Sequence, residues 1–227
     1  MQAVILAAGE GMRLRPLTDA IPKCLLKVGK KTILEHIFSQ LPQEIHEVVL
    51  VVGHLKGEIK KQIGTSNGGR RIQYIEQTER LGTGHALSIC KDVLNDSKFL
   101  VLMGDNLYFK KDIENCLRHD LCLLAQKLES PERFGVLRIE DGILRDIIES
   151  PKLSVGTLVN CGLYVLDKRI FDYPLVSIGL NEYGLPQTIV KMSNHHPVGI
   201  EKANFWLSIN TVQDLKQADK YLKKIYV

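Results

Sequence analysis

The chain has 227 residues, of which 44% are hydrophobic and 25% are charged, and its formal net charge is +4. That length suits one substantial α/β domain, and the mild, scattered positive charge favours small anionic ligands over nucleic acid. The sequence shows no membrane span of roughly 18 apolar residues, no signal peptide and no zinc spacing among its cysteines, so we expect a cytoplasmic protein with reduced thiols that contacts neither membrane nor nucleic acid.

The first predicted element is a buried strand that ends in a glycine loop. Residues 3–18 read AVILAAGEGMRLRPLT, and the apolar run is typical of a strand buried on both faces. Gly9 and Gly11 let backbone N–H groups approach a ligand that a Cβ would keep away. Arg13 and Arg15 beside the turn indicate that this ligand is anionic, and phosphate is the simplest choice.

Strands and helices alternate through the first half of the chain. Thr32 and Glu35 form a capping box that predicts a helix over 32–41. The other predicted elements of this half are strands over 47–53, 71–76, 98–105 and 121–128 and helices over 54–63 and 82–94. This alternation predicts an α/β fold with a mostly parallel central sheet and helices on both of its faces.

The second half has shorter alternating strands. The pair Asp141-Gly142 between two such runs predicts a hairpin, and 157–167 reads as a strand that returns to the sheet. A last amphipathic helix begins at Thr211, with Asp214 as its capping partner. Because no Pro-, Gly- or Ser-rich linker separates the halves, we predict a single domain over the whole chain.

Two common phosphate-loop patterns do not fit the residues after the first strand. A P-loop requires G-x-x-x-x-G-K-[ST], which Gly9 does not begin. A dinucleotide fingerprint requires a third glycine where this chain has Leu14, and an acidic residue where it has the basic stretch KVGKK. A nicotinamide-dependent enzyme is therefore disfavoured.

The loop instead resembles the signature of the sugar-1-phosphate nucleotidylyltransferases, and in particular their uridylyl- and thymidylyl-transferring branches. The resemblance covers nearly the whole chain and runs in family order through LAAGEGMRLRPLTDAIPKCLLKVGKKTILEHI, LGTGHA, GDN, FG, IIE, VNCG and WLSINT. It implies a three-layer, Rossmann-like nucleotidyltransferase fold. It also implies a nucleotide-binding half over about 1–127 and a hairpin-rich half over about 128–227 that covers the sugar phosphate.

The reaction implied by this resemblance needs no general base. A sugar-phosphate oxygen attacks the α-phosphorus of a nucleoside triphosphate, and pyrophosphate leaves. The nucleophile is already ionised near neutral pH, because a phosphate monoester has a second pKa of about 6. The protein therefore has to position two polyanions and to stabilise the charge on the transferring group.

Three charged residues are the candidate catalytic groups. By the resemblance, Arg13 holds the β- and γ-phosphates, and Lys23 lies over the α-phosphate and the sugar phosphate. Asp105 ends a buried strand, where open α/β sheets place their ligands, and a carboxylate there suits Mg²⁺. Many relatives supply a second metal carboxylate where this chain has Ser208, and the resemblance implies that Asn210 is the second metal ligand instead.

The nucleotide and the sugar have separate candidate sites. The Gln77 amide matches the N3–H and carbonyl edge of uracil or thymine, which favours UTP or dTTP. The residues predicted to bind the nucleotide are Leu6, Ala7, Ala8, Gly9, Glu10, Gly11, Met12, Gln77, Gly82, Thr83 and Gly104. By the resemblance, the sugar side comprises Gly135, Glu149, Asn160 and Tyr164. Many relatives follow the glutamate with a phosphate-binding lysine, but this chain has Ser150 there and places Lys152 two residues further on.

Two alternatives stay open. The first is a related cytidylyltransferase that acts on phosphocholine or inositol phosphate, and LGTGHA and Gln77 oppose it. The second is a non-catalytic subunit with this fold, which the joint presence of Arg13, Lys23 and Asp105 opposes. The sequence leaves open a homo-oligomer, the identity of the sugar or alcohol phosphate, and the choice among UTP, dTTP and CTP.

Overall fold

The helices and strands alternate as the sequence predicts. The computed structural model describes residues 1–131, 133–148 and 157–225. The strands in these ranges are β1 (Gln2–Ala7), β2 (Lys27–Val28), β3 (Lys31–Thr32), β4 (Glu47–Val52), β5 (Ser66–Asn67), β6 (Arg70–Glu76), β7 (Lys98–Met103), β8 (Asn106–Tyr108), β9 (Cys122–Leu128), β10 (Val136–Glu140), β11 (Ile143–Ile148), β12 (Thr157–Asp167), β13 (Val176–Gly179), β14 (Glu182–Gly184), β15 (Gly199–Lys202) and β16 (Trp206–Ser208). The α-helices are α1 (Ile33–Gln40), α2 (Lys56–Ile63), α3 (Gly82–Ser88), α4 (Lys110–Cys116), α5 (Leu185–Ser193) and α6 (Val212–Ile225).

Four parallel strands form the centre of the main sheet. The sheet order is β10-β11-β15-β9-β12-β7-β1-β4-β6-β5, and β7, β1, β4 and β6 run in the same direction. In the register, Ala7 pairs with Val52 and Leu6 pairs with Met103. The carboxyl ends of these four strands therefore meet at one edge of the sheet, which is where α/β proteins bind their ligands.

The second half of the chain joins the same sheet. Strand β12 lies antiparallel between β7 and β9, and β15 adds a parallel strand on the far side of β9. The α/β class and the parallel nucleotide-side strands are confirmed, while the antiparallel additions make the complete sheet mixed. One continuous sheet runs through both predicted halves, which supports the hypothesis of a single domain.

A hydrophobic core lies on each face of the sheet. Alternate residues of β1 point to opposite faces, so that Ala3 and Ile5 belong to one core and Val4 to the other. Helices α1, α2, α4 and α6 cover the first face, and α3 and α5 cover the second. This is the predicted three-layer arrangement, and it explains why β1 and β4 read as continuous apolar runs.

Local signals in the sequence predict several element boundaries correctly. The Thr32 hydroxyl accepts a hydrogen bond from the Glu35 backbone N–H at 3.1 Å, and α1 begins at the next residue. The turn at Asp141 and Gly142 has φ angles of +53° and +75°, as a two-residue hairpin requires. Among the described residues, no helix is both long and apolar enough to cross a bilayer.

One predicted helix is too long, and several elements were not predicted. Helix α3 ends at Ser88 rather than at 94, because the chain tightens there into three-residue turns, with the Cys90 N–H donating to the Leu87 carbonyl at 2.9 Å. The sequence patterns do not predict α4, α5, the β13–β14 hairpin or the β8–β16 pair. These elements contain at most nine residues each, too few for a clear periodic pattern.

Candidate active site

The candidate active site lies at the carboxyl edge of the four parallel strands. Strand β1 runs into the glycine loop 8–11, β6 ends just before Gln77, and β7 ends just before Gly104 and Asp105. The Gly104 N–H donates to the Leu6 carbonyl and the Gln77 N–H donates to the Val52 carbonyl, both at 2.9 Å. These backbone bonds fix Asp105 and Gln77 on opposite sides of the glycine loop, since β7 and β4 flank β1.

The glycine loop folds so that Lys23 packs against it. Gly11 has φ +69°, and a Cβ at this position would lie 3.1 Å from the Cβ of Lys23 and 3.0 Å from Cγ2 of Thr18. Only glycine both adopts this positive φ without strain and has no Cβ to collide with these atoms. Gly9, in contrast, has no atom within 4 Å of its missing Cβ, so its open side is free to face a ligand. Met12 is 68% exposed beside the loop.

Four predicted residues come together in one charge cluster. Lys23 Nζ lies 2.5 Å from Asp105 Oδ2 and 2.9 Å from Asn210 Oδ1. An Arg13 guanidinium nitrogen donates to the same Asn210 oxygen at 3.0 Å. These residues are distant in sequence, and the structure brings both predicted phosphate-binding cations against both predicted metal ligands. We refer to Arg13, Lys23, Asp105 and Asn210 as the charge cluster.

The N-terminal cap of α6 holds Asn210 in place. Asp214 Oδ2 accepts hydrogen bonds from the backbone N–H groups of Asn210 at 2.9 Å and Thr211 at 2.8 Å. The Asn210 side-chain NH₂ donates to the Ser208 hydroxyl at 2.6 Å, which turns the amide oxygen toward the two cations. Ser208, at the position where the family resemblance leads us to expect a carboxylate, therefore orients Asn210. The serine is evident in the sequence, but its contact with Asn210 is not.

The pKa of Asp214 follows from the same contacts. Burial by itself would raise the pKa of this carboxyl. Hydrogen bonds from Asn210, Thr211 and the Arg133 guanidinium, which lies 3.3 Å away, outweigh burial and hold the pKa of Asp214 below its ordinary value. The cap is therefore a carboxylate at neutral pH, as the positive end of a helix dipole favours.

Gln77 is held at the opposite side of the glycine loop. Its side chain is 8% exposed, and its Nε2 donates to the Gly82 carbonyl at 3.0 Å and to Nδ1 of His85 at 3.2 Å. The atom that faces a carbonyl must be the amide nitrogen, because two oxygens would repel each other. Both amide hydrogens are then used, so Oε1 is the group that a base can meet. His85 was not predicted, although its string LGTGHA was singled out.

Gly82 and Thr83 are packed against β14. A Cβ on Gly82 would lie 2.6 Å from the Tyr183 carbonyl oxygen, and Gly82 has φ +82°. The Thr83 hydroxyl accepts a hydrogen bond from the Leu185 N–H at 3.1 Å. Gly82 therefore packs against β14, and Thr83 bonds to the first residue of α5. The sequence did not indicate this structural role for either residue.

The carboxylate of Glu10 bridges the glycine loop to the segment before α3. Glu10 Oε1 lies 2.5 Å from an Arg80 guanidinium nitrogen, and Oε2 lies 3.8 Å from one of Arg15. Arg80 was missed, although it stands within the quoted string EQTERLGTGHA. Its position places a fourth cation, in addition to Arg13, Arg15 and Lys23, beside the loop predicted to hold a triphosphate.

The sugar-side residues that the structure describes cluster around Asn160. The Asn160 N–H donates to the Gly135 carbonyl at 2.8 Å, and its side-chain NH₂ donates to the Tyr164 hydroxyl at 2.7 Å. Tyr164 is fully buried, so its side chain lies behind Asn160 and is not exposed at the surface. Glu149, Ser150 and Lys152 lie outside the described residues.

The cysteine thiols of the chain are unsuited to nucleophilic chemistry. All five are free and buried. Burial raises the pKa of Cys24, next to Lys23, to about 12, so it is not a thiolate at neutral pH. Within the described ranges, no group of three or more His, Cys, Asp or Glu side chains could hold a metal. In the charge cluster, the side-chain oxygens that converge on Lys23 Nζ belong to Asp105 and Asn210.

The fold and the charge cluster define an α/β protein with charged side chains gathered at the carboxyl ends of its parallel strands. A comparison with family models identifies the family within that class. The chain belongs to the nucleotidyl transferase family, whose model matches residues 2–224.

Three relatives illustrate the similarity. The bifunctional protein GlmU of Methanocaldococcus jannaschii is 32% identical over 227 residues, which cover 98% of this chain and 54% of the relative. The chain therefore spans about half the length of the GlmU proteins it matches. The UTP–glucose-1-phosphate uridylyltransferase AglF of Haloferax volcanii is 36% identical over 182 residues, with 75% and 74% coverage of the two chains. A structure from Bacillus anthracis assigned as a glucose-1-phosphate thymidylyltransferase has a TM-score of 0.87 at 25% identity and covers 97% of this chain and 95% of its own.

Proposed function

We propose that this chain transfers a nucleotidyl group from UTP or dTTP to a sugar 1-phosphate, releasing pyrophosphate and an NDP-sugar. The charge cluster is the observation that carries the proposal, because it gathers two phosphate-binding cations and two oxygen ligands beside the glycine loop. The family membership and the two relatives with named sugar-phosphate substrates support the same reaction.

The proposed mechanism uses positioning and electrostatics. An oxygen of the sugar phosphate forms a bond to the α-phosphorus, and the bond from that phosphorus to the β-phosphate oxygen breaks. Arg13 stabilises the departing pyrophosphate, and Lys23 bridges the α-phosphate and the attacking phosphate. Both cations are charged before the reaction begins, so they neutralise developing charge without a proton transfer. No side chain has to act as a general base.

The residues of the charge cluster fit a divalent cation. The oxygens Asp105 Oδ2 and Asn210 Oδ1 both lie within 3 Å of a single ammonium nitrogen, so they already converge on one cation-sized position. Asp105 and Asn210 would hold Mg²⁺, which accepts few protein ligands and completes its octahedron with phosphate oxygens and water. When bound there, Mg²⁺ would neutralise charge on the phosphates and polarise their oxygens.

We propose that Gln77 selects the base and that Gly135 and Asn160 contact the sugar. Gln77 offers Oε1 as an acceptor, which suits the N3–H of uracil or thymine and not the N3 lone pair of cytosine. Ala8, Gly9 and Gly11 supply backbone N–H groups to the triphosphate. The five free, buried thiols support the further proposal that this single-domain chain works in the reducing cytoplasm.

Pyrophosphate release tests the proposed function. The protein is incubated with Mg²⁺, each nucleoside triphosphate in turn, and a panel of sugar 1-phosphates, phosphocholine and inositol phosphate. We expect release with UTP or dTTP and a sugar 1-phosphate, and its loss in Asp105→Asn. Release only with CTP and a non-sugar phosphate would select the cytidylyltransferase, and no release with any pair would select the non-catalytic subunit.

A further inference from the structure

Lys23 occupies the position in the charge cluster that a divalent cation would take. Its Nζ lies 2.5 Å from Asp105 Oδ2 and 2.9 Å from Asn210 Oδ1, which are the two proposed metal ligands. The Lys23 side chain is only 12% exposed, so it is held in the site rather than extended into solvent. An ammonium and a metal ion cannot share this position, because each needs the same two oxygens and like charges at such a distance repel strongly.

The glycine loop anchors the stem of the Lys23 side chain, while its ammonium group is held by Asp105 and Asn210. The missing Cβ of Gly11 would lie 3.1 Å from Lys23 Cβ and 3.3 Å from Lys23 Cδ. The stem of the lysine therefore packs directly on the loop proposed to bind the triphosphate. Rotation about the last bonds of the side chain can carry Nζ away from Asp105 without moving this stem.

We propose that Lys23 is a built-in counter-ion that fills the divalent-cation site of the free protein and is displaced when the metal and the nucleotide enter. This inference rests on the proposed function for the identity of the incoming ligands. In the free protein, the ammonium neutralises Asp105 and keeps the two oxygens converged. After displacement, the ammonium is released beside the glycine loop, where it meets phosphate. One side chain thus couples occupation of the metal site to binding of the triphosphate.

The two cations of the charge cluster provide a matched comparison. Arg13 contacts Asn210 Oδ1 at 3.0 Å, and no contact of Arg13 with Asp105 is found among the described residues. Removing Arg13 takes one positive charge from the cluster but leaves Lys23 in the shared position. Removing Lys23 takes the same charge and also vacates that position. Charge repulsion by itself predicts that both variants gain affinity for a metal ion, whereas displacement predicts that the gain is confined to the Lys23 variants.

Binding of Mn²⁺ to the nucleotide-free protein tests the inference. Mn²⁺ is titrated against wild type, Lys23→Met, Lys23→Gln and Arg13→Met, and the free ion is followed by electron paramagnetic resonance. We expect both Lys23 variants to bind Mn²⁺ about tenfold more tightly than wild type, because a charged hydrogen bond no longer has to be broken. We expect Arg13→Met to change the affinity less than about threefold. Adding Asp105→Asn to Lys23→Met should abolish the gain, and circular dichroism checks that each variant is folded.

The outcome separates this inference from the proposed function. Equal or weaker Mn²⁺ binding in folded Lys23 variants overturns the displacement, and so does an equal gain in Arg13→Met. If wild type releases no pyrophosphate but the affinity order holds, the proposed function fails and the displacement stands. Tighter metal binding combined with lost turnover in Lys23→Met supports both the displacement and the proposed function. A purely structural role of Lys23 would not produce this combination.

Discussion

The contact between His85 and Gln77 predicts a change in base selectivity. In His85→Leu, one amide hydrogen of Gln77 loses its acceptor at 3.2 Å, and only the bond to the Gly82 carbonyl still orients the amide. A neutral hydrogen bond contributes about 0.5–1.5 kcal/mol net, equivalent to a factor of roughly 2–13. The amide can then rotate and offer N–H to the base, which weakens contact with uracil and strengthens contact with cytosine. We expect the UTP-to-CTP ratio of kcat/KM to fall about tenfold.

The assay is pyrophosphate release with UTP and with CTP at a fixed sugar 1-phosphate concentration. Ser88→Ala is the matched control, because the Ser88 hydroxyl lies on the same helix and donates to the His85 carbonyl at 2.9 Å without touching Gln77. Gln77→Leu should lower the UTP-to-CTP ratio further, which would show that the Gln77 amide recognises the base. General damage to the fold lowers both kcat/KM values together. If the UTP-to-CTP ratio of kcat/KM changes in Gln77→Leu but stays unchanged in His85→Leu, then His85 does not orient the Gln77 amide and the prediction is refuted.

Three further predictions concern the fold and the charge cluster. Gly82→Ala should lower stability by about 3 kcal/mol and Tm by roughly 6–12 °C, because its Cβ would meet a backbone oxygen at 2.6 Å. Gly69→Ala, at φ +78° with open space around it, should lose only about 1 kcal/mol in thermal melts, and equal losses would contradict the clash. Ser208→Ala should raise the Mg²⁺ concentration for half-maximal turnover about fivefold, since Asn210 loses the bond that orients it; an unchanged requirement argues against this role. Asp214→Asn should destabilise the protein at pH 7 by about 1–2 kcal/mol in urea melts. Because the folded pKa of Asp214 is lowered, the stability that its carboxylate contributes is lost as the pH falls through that pKa. The difference between wild type and variant should therefore shrink on acidification, and a difference that stays constant would contradict the capping role.

Local patterns in the sequence determined the elements that carry the site. The apolar run of β1, the glycine at position 11 and the capping box at Thr32 act within a few residues, so each can be interpreted without knowing the fold. The alternation of strands and helices also predicted that Asp105 ends a buried strand at the edge of the sheet where α/β proteins bind ligands. The resemblance added roles for Arg13, Lys23 and Asn210 that no local pattern supplies.

Only the tertiary structure decided which side chains touch. Lys23 meets Asn210 across 187 positions of sequence, and Gly82 must be glycine because Tyr183, about a hundred residues further on, lies against it. The orientation of the Gln77 amide depends on His85, and that of Asn210 depends on Ser208. Such contacts depend on distances between distant segments that packing fixes to within a few tenths of an ångström. Composition and periodicity hold no record of those distances, because they describe each segment by itself.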